Sequence, residues 1–378
     1  NFILTPSTLS HLKNIARAVS SKRPVLLEGP TSSGKSSMVE YLAGCTGHGF
    51  VRINNHDSTE VQEYLGHYVS DENGKLRYVD GVLVRAVREG WWVVLDELNL
   101  APSEVLEALN RLLDDNCELF IPETQELIKP HPHLRIFATQ NPVGLYGGRK
   151  ALSRAFRNRF LEIIVDDIPT EELVEILKLR FTLPESFAAK MVEVMVRLQE
   201  GRKSSSLFSG KHGFITPRDL FRWANRKPQN YEELAMHGAL LLGERCRKAS
   251  EKRFVFDTIE KIMKVELIVE KLYDPAQWAC TKDYVAAIEA MSGEISWTPS
   301  MKRLLTLTGL CIHHEEPVLL IGETGCGKTT VCQLWASLMA QKISILNCHQ
   351  HSEAADFLGA LRPAHSTSNA LFDWHDGP

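Results

Sequence analysis

The stretch PVLLEGPTSSGKSSMVEYLAG, residues 24–44, runs from a short apolar segment through a glycine-framed loop into a helix-compatible segment. Gly29, Pro30, Thr31, Ser32, Ser33, Gly34, Lys35 and Ser36 fill the pattern G-x-x-x-x-G-K-[ST]. Glycines let successive backbone N–H groups converge on phosphate oxygens, and the N-terminus of the following helix adds a favourable field. The lysine brings a mobile positive charge to the β and γ phosphates, and the Ser36 hydroxyl is placed to hold Mg²⁺. A strand entering such a loop and a helix leaving it predict an α/β fold whose ligand is ATP with Mg²⁺.

The pattern recurs. Gly322, Glu323, Thr324, Gly325, Cys326, Gly327, Lys328 and Thr329 match it again, 293 positions later. The same offset carries Thr5-Pro6-Ser7 onto Thr298-Pro299-Ser300 and Pro24-Val25-Leu26-Leu27 onto Pro317-Val318-Leu319-Leu320. It also superposes Asn54 on Asn347, Glu60 on Glu353 and Leu65-Gly66 on Leu358-Gly359. A gapless series of this length indicates one module of about 293 residues and the opening of a second. The second stops before the acidic strand expected of it, and the chain begins at Asn1 without methionine, so it is expected to be a piece of something larger.

Outward from the loop, residues 8–19 have helical periodicity, 35–43 continue as a helix and Phe50 to Ile53 read as a strand. A helix over 80–89 precedes the nearly unbroken apolar run Trp91 to Leu95, as expected of a parallel strand covered on both faces. Residues 102–114 are helical, 119–121 and 126–128 pair as a hairpin, and Leu134 to Thr139 and Leu161 to Val165 are further strands. Alternating strands and helices predict an open α/β/α three-layer sandwich over 1–168. Beyond Pro169 the segments 170–180, 185–200, 217–226, 231–248 and 256–272 are helical in period. They imply a helical domain over 169–275, then a linker over 276–297 and the start of the second module over 298–378.

Asp96-Glu97 closes the Trp91-Trp92 strand, at the end where open parallel sheets place ligands. There Asp96 would hold Mg²⁺, and Glu97 would orient or activate the attacking water. Asn141 ends the next buried strand, where its amide can reach the water or the γ-phosphate. Arg154, Arg157 and Arg159 read from spacing alone as surface arginines on a helix end. Charge on a γ-phosphate in the transition state nevertheless needs a cation, which a neighbouring subunit can supply. Arg218, after Thr216-Pro217, opens a helix against its dipole and can reach back toward the phosphates.

These residues resemble the AAA+ ATPases, in particular the dynein-related branch that acts in ribosome assembly. The likeness is carried by GPTSSGKSS (29–37), LDELNLAP (95–102), ATQNP (138–142), GGRKALSRAFRNRF (147–160) and GFITPRDLF (213–221). It implies a P-loop AAA+ sandwich with an α-helical lid, in a six-module ring that one polypeptide closes. The ring would use ATP to pull assembly factors off pre-60S ribosomal particles in the nucleus. By the same resemblance Asn141 is the first sensor, Arg218 the second, and Arg159, or else Arg157, the arginine finger. Residues 54–79 correspond to a helix-2 insert and 118–130 to a hairpin, both serving ring communication or partner contact. The finger would act on a neighbouring module, so this stretch alone should hydrolyse ATP weakly.

Composition bounds the alternatives. An apolar fraction of 44%, a charged fraction of 24% and a net charge of −4 describe a globular chain with no global field for nucleic acid. Paired Trp91-Trp92 reads as core, and Arg245, Arg247, Lys248, Lys252 and Arg253 as a solvated helix face, so no direct nucleic-acid site is evident. No apolar run spans a membrane. Eight cysteines contain no C-x-x-C pair, and Cys348, His349 and His351 read as a strand end rather than a metal site. Two other functions share these motifs: a structural nucleotide-binding module with little turnover, and a MoxR-like maturation chaperone. The in-chain repeat weighs against the second.

Overall fold

The structure, a computed structural model, describes residues 2–70, 76–114, 116–142, 152–204, 215–290, 296–349, 352, 354–363 and 372–377. Two compact units emerge, the first holding residues 1–182 and 209–218 and the second most of the remainder.

In the first unit α1 (Pro6–Ser20) precedes β1 (Val25–Glu28), α2 (Lys35–Thr46) and β2 (Phe50–Asn54). A short α3 (Val61–Leu65) leads into the hairpin β3 (Gly66–Ser70) and β4 (Leu76–Asp80), followed by α4 (Val82–Glu89), β5 (Trp92–Asp96) and α5 (Ser103–Leu113). The second hairpin is β6 (Leu119–Ile121) with β7 (Glu126–Ile128), and β8 (Arg135–Gln140), α6 (Arg154–Arg157), β9 (Leu161–Ile164) and α7 (Thr170–Phe181) complete the unit. Five strands form one sheet in the order β2-β5-β8-β1-β9, every neighbouring pair parallel.

Side-chain alternation builds the three layers. Leu26, Val93, Leu95, Ile136 and Ala138 face a core shared with α4, α5 and the β6–β7 hairpin. Their neighbours Val25, Leu27, Trp92, Val94 and Phe137 face the opposite core, under α1 and α2. Every residue of β5 is buried, because helices cover both its faces. The expected sandwich is present, with strand and helix limits within two residues of the sequence reading except at α2, which runs three residues further, to Thr46.

The second unit begins with α8 (Glu185–Ser204) and resumes within α9 (Pro217–Asn225). It continues through α10 (Tyr231–Gly238), α11 (Ala249–Met263), α12 (Val269–Leu272), α13 (Ala279–Lys282) and α14 (Val285–Ala290). Two expected helices are shorter than their periodicity suggested. The 231–248 segment leaves α10 through a π-turn at Ala239–Gly243, and the 256–272 segment breaks after Met263, where Lys264 takes φ 57°. The residues read as a solvated basic face are partly engaged, since Arg245 pairs with Asp219 at 2.7 Å and Lys252 with Glu244 at 2.7 Å. The segment read as a linker carries short helices, with Trp278 and Thr281 buried.

The internal repeat is structural. α15 (Pro299–His313), α16 (Lys328–Leu338), α17 (Ala354–Leu358) and β10 (Gly359–Pro363) begin 293 positions after α1, α2, α3 and β3. β11 (Phe372–Asp376) pairs with β10 but starts three residues later than that offset places β4. The apolar run before the second loop corrects one expectation. Residues 318–321 form no strand, and Leu319 and Ile321 are 84% and 76% exposed. In the first unit the matching segment, β1, is held as a strand between β8 and β9.

Candidate nucleotide site

The phosphate loop is shaped by backbone that few residues adopt. Gly34 caps α2 at φ 83°, and Ser32 is left-handed at φ 68°. In the second loop Gly327 repeats φ 83°, while the position matching Ser32 is Gly325, at φ 82°. Gly29 packs so closely that a Cβ would lie 2.2 Å from the Val165 carbonyl oxygen. Its N–H donates to the Gln140 carbonyl at 3.3 Å, tying the loop to β8.

Lys35 is buried despite its charge, and its Nζ donates to the carbonyls of Gly29 at 2.8 Å and Pro30 at 2.7 Å. It also reaches Asn141 Oδ1 at 3.2 Å. The other end of the same amide, Nδ2, donates to Glu97 Oε1 at 3.2 Å. Asn141 therefore joins the phosphate-loop lysine to the carboxylate assigned to water activation. Glu97 itself sits at φ 50°, which turns it out of β5. Lys328 repeats the first pattern, donating to Gly322 O at 2.9 Å and Glu323 O at 2.6 Å.

Asp96 is held from several directions. Ser36 Oγ donates to its Oδ1 at 3.1 Å, Thr139 Oγ1 donates to the same oxygen, and Arg52 pairs with Oδ2. Thr139 Oγ1 in turn accepts from the Glu97 N–H at 3.1 Å, so one hydroxyl sets the positions of both acids. A serine hydroxyl beside a carboxylate is the hard-oxygen donor set that suits Mg²⁺. Ser36 and Asp96 fit the ion. Behind them Asn55 Nδ2 donates to the Asp96 carbonyl at 2.9 Å, and Asn55 Oδ1 accepts from Tyr64 OH at 2.5 Å. Burial pushes the Tyr64 phenol far above its ordinary pKa, so it remains a donor.

Two of the arginines, Arg157 and Arg159, are committed within the unit. Arg157 binds Glu162 through Nε at 2.8 Å and Nη2 at 2.7 Å, and reaches Glu28 at 3.3 Å. Arg159 pairs with Asp114 and donates to Ala155 O at 3.2 Å. Arg154 is exposed and forms no ion pair among the described residues, and Arg218 is exposed in the first turn of α9. Residues 147–151 and 213–214 of the quoted motifs, and His351, lie outside the described residues.

Sequence reading missed Arg52, Asn55 and Thr139. The available signal was polar residues at the C-terminal ends of otherwise apolar strands, where ligands bind. Among the described residues no His, Cys, Asp and Glu group is arranged to hold a metal by itself, and no helix is long and apolar enough to cross a membrane.

Residues 24–160, and again 317–378, match the family described as an AAA domain of the dynein-related subfamily, and residues 172–266 match the midasin AAA lid domain. The two AAA matches start 293 residues apart, as the repeat does. A midasin of Dictyostelium discoideum is 59% identical over 98% of this chain, and one of Giardia intestinalis 42% identical over 97%. The chain spans only 6% and 8% of those relatives. An uncharacterized protein of Staphylococcus haemolyticus is 30% identical over 48% of the chain and 69% of its own length.

Proposed function

The chain belongs to the midasin family of dynein-related AAA proteins, and on that premise we propose that it supplies one ATP-hydrolysing module of a tandem six-module ring. The ring removes assembly factors from pre-60S ribosomal particles in the nucleus. Residues 1–168 are the large domain, 169–275 the lid, 276–297 a connector and 298–378 the opening of the next large domain.

The observation that carries the catalytic part is the amide of Asn141 between Lys35 and Glu97. Lys35 and the loop N–H groups bind the β and γ phosphates of ATP. Asn141 holds Glu97 where its carboxylate can orient a water for in-line attack, and reports the γ-phosphate to that carboxylate. Ser36 and Asp96, and Thr329 at the second loop, would hold Mg²⁺, which would supply charge neutralisation at the phosphates. Arg159, with Arg157 second, serves a neighbouring module's γ-phosphate after leaving its present acid partner, and Arg218 answers from the lid. The finger serves another site, so the isolated chain binds nucleotide better than it hydrolyses it.

Glu97→Gln in the full-length parent tests this. Loss of this site's share of ATP turnover, with assembly factors retained on the particle, is the expected result. Unchanged turnover and release would instead favour a structural module whose ATP is bound but not spent.

A further inference from the structure

The strands that deliver Gly29 and Asn141 are joined to each other, and to an arginine, just before they end. Glu28 and Gln140 are register partners, the last residues of β1 and β8. Gly29, which opens the phosphate loop, follows the first, and Asn141 follows the second. Gln140, 2% exposed, donates from Nε2 to Glu28 Oε2 at 2.5 Å. Arg157 Nη2 donates to the same oxygen at 3.3 Å. The guanidinium holds Glu162 of β9 as well, through Nε at 2.8 Å and Nη2 at 2.7 Å.

Two carboxylates therefore share one cation. Among the described residues Arg157 is the only cation paired with Glu28 or Glu162. Its hydrogen bond holds the Glu162 carboxyl below the ordinary range. Glu28 stands closer to the ligand, since its Cα is one peptide unit, ~3.8 Å, from that of Gly29. A bare carboxylate at the entry of a loop shaped for a polyanion opposes binding.

We infer that Arg157 is a positioning residue of its own module's nucleotide site, cancelling the Glu28 charge beside the phosphate loop and fixing the strand ends that carry Gly29 and Asn141. Leaving for a neighbour's γ-phosphate would strip both acids of their cation at once, whereas Arg159 gives up one acid, Asp114. This assignment rests on the first loop being an ATP site, and it leaves the finger role to Arg159.

The test titrates a fluorescent ATP analogue into the 378-residue chain carrying Lys328→Ala, so that binding reports the first loop. Arg157→Gln should weaken binding about threefold or more at about 0.05 M salt, the scale of one unit charge acting on a polyanion near a protein surface. Salt at ~1 M shortens the screening length to about 3 Å and should bring the two affinities together. Glu28→Gln added to Arg157→Gln should restore most of the affinity, because the uncancelled charge is gone. A merely structural arginine would give neither the salt dependence nor the rescue. Should Arg157→Gln fail to fold, Glu28→Gln alone decides. It keeps an acceptor for Gln140 and should bind ATP at least as tightly as its parent, and weaker binding overturns the inference. Unchanged affinity in Arg157→Gln overturns it too, as does a loss that neither salt nor Glu28→Gln repairs. Lys35→Ala separates the two readings. Binding that survives it means the ATP site itself is misassigned and both readings fall, whereas binding that needs Lys35 but ignores Arg157 sinks only the role given to Arg157.

Discussion

Asn141 donates from Nδ2 to Glu97 Oε1 at 3.2 Å, across the gap between two adjacent parallel strands. Its oxygen meanwhile accepts from Lys35. Removing the amide should leave binding largely intact, because the loop N–H groups remain, but should release the Glu97 carboxylate from that contact. Asn141→Ala in the full-length parent is expected to lower this site's turnover by roughly 10²-fold, the scale of a lost preorganised donor. Nucleotide affinity should change little. A proportional loss of affinity and turnover would assign Asn141 to binding alone.

Ser32 adopts φ 68° where the repeat has Gly325, and its buried hydroxyl has no partner among the described residues. A non-glycine residue held in this region costs on the order of 1–3 kcal/mol, partly offset by the extra chain freedom a glycine loses on folding. Ser32→Gly should therefore raise nucleotide-free stability by about 1 kcal/mol. The urea midpoint of the variant reports it, and a lower midpoint would contradict the strain.

In the second unit Arg226 makes a bidentate pair with Glu316, at 3.0 and 2.6 Å, with only 3% of the arginine side chain exposed. Glu316→Ala should cost about 3–5 kcal/mol, because the guanidinium is left buried and uncompensated. Arg226→Met combined with Glu316→Leu should recover most of that loss. Chemical denaturation of the three variants tests the order, and a double variant no better than Glu316→Ala would sink it.

His237 lies beside that pair, its Nδ1 3.4 Å from Arg226. Burial, and then the Arg226 charge, push its pKa down to about 2, while His314 is lowered to about 4, again chiefly by burial. Both imidazoles stay neutral when folded, whereas the unfolded chain takes up protons below pH ~6.5. Stability present above that pH is lost as pH falls through it, by up to about 1.4 kcal/mol per pH unit for each histidine. Melting should therefore occur earlier at pH 5.5 than at pH 7.5. His237→Gln should flatten this dependence, and an unchanged slope would remove His237 from the account.

Much of this was legible because local chemistry is short-ranged. The two phosphate loops, the 293-residue repeat, the covered β5 strand and the β6–β7 hairpin each follow from neighbouring residue types and periodicity. Asp96, Glu97 and Asn141 could be named because buried parallel strands present ligands at one end. The helix breaks near Gly243 and Lys264 were not legible, since periodicity continues through a segment that packing interrupts.

The phosphate loop at Gly29–Ser36, its twin at Gly322–Thr329 and their tandem spacing were determined by the sequence alone, since backbone approach to phosphate depends on residue type at fixed intervals. Tertiary structure decided who holds those residues. Strand order β2-β5-β8-β1-β9 brings Arg52, Thr139 and Ser36 to Asp96, and Asn141 between Lys35 and Glu97, from positions 44, 43, 60, 106 and 44 residues apart. Such contacts depend on which strands become neighbours, a property of the closed sheet that no local pattern of residues encodes.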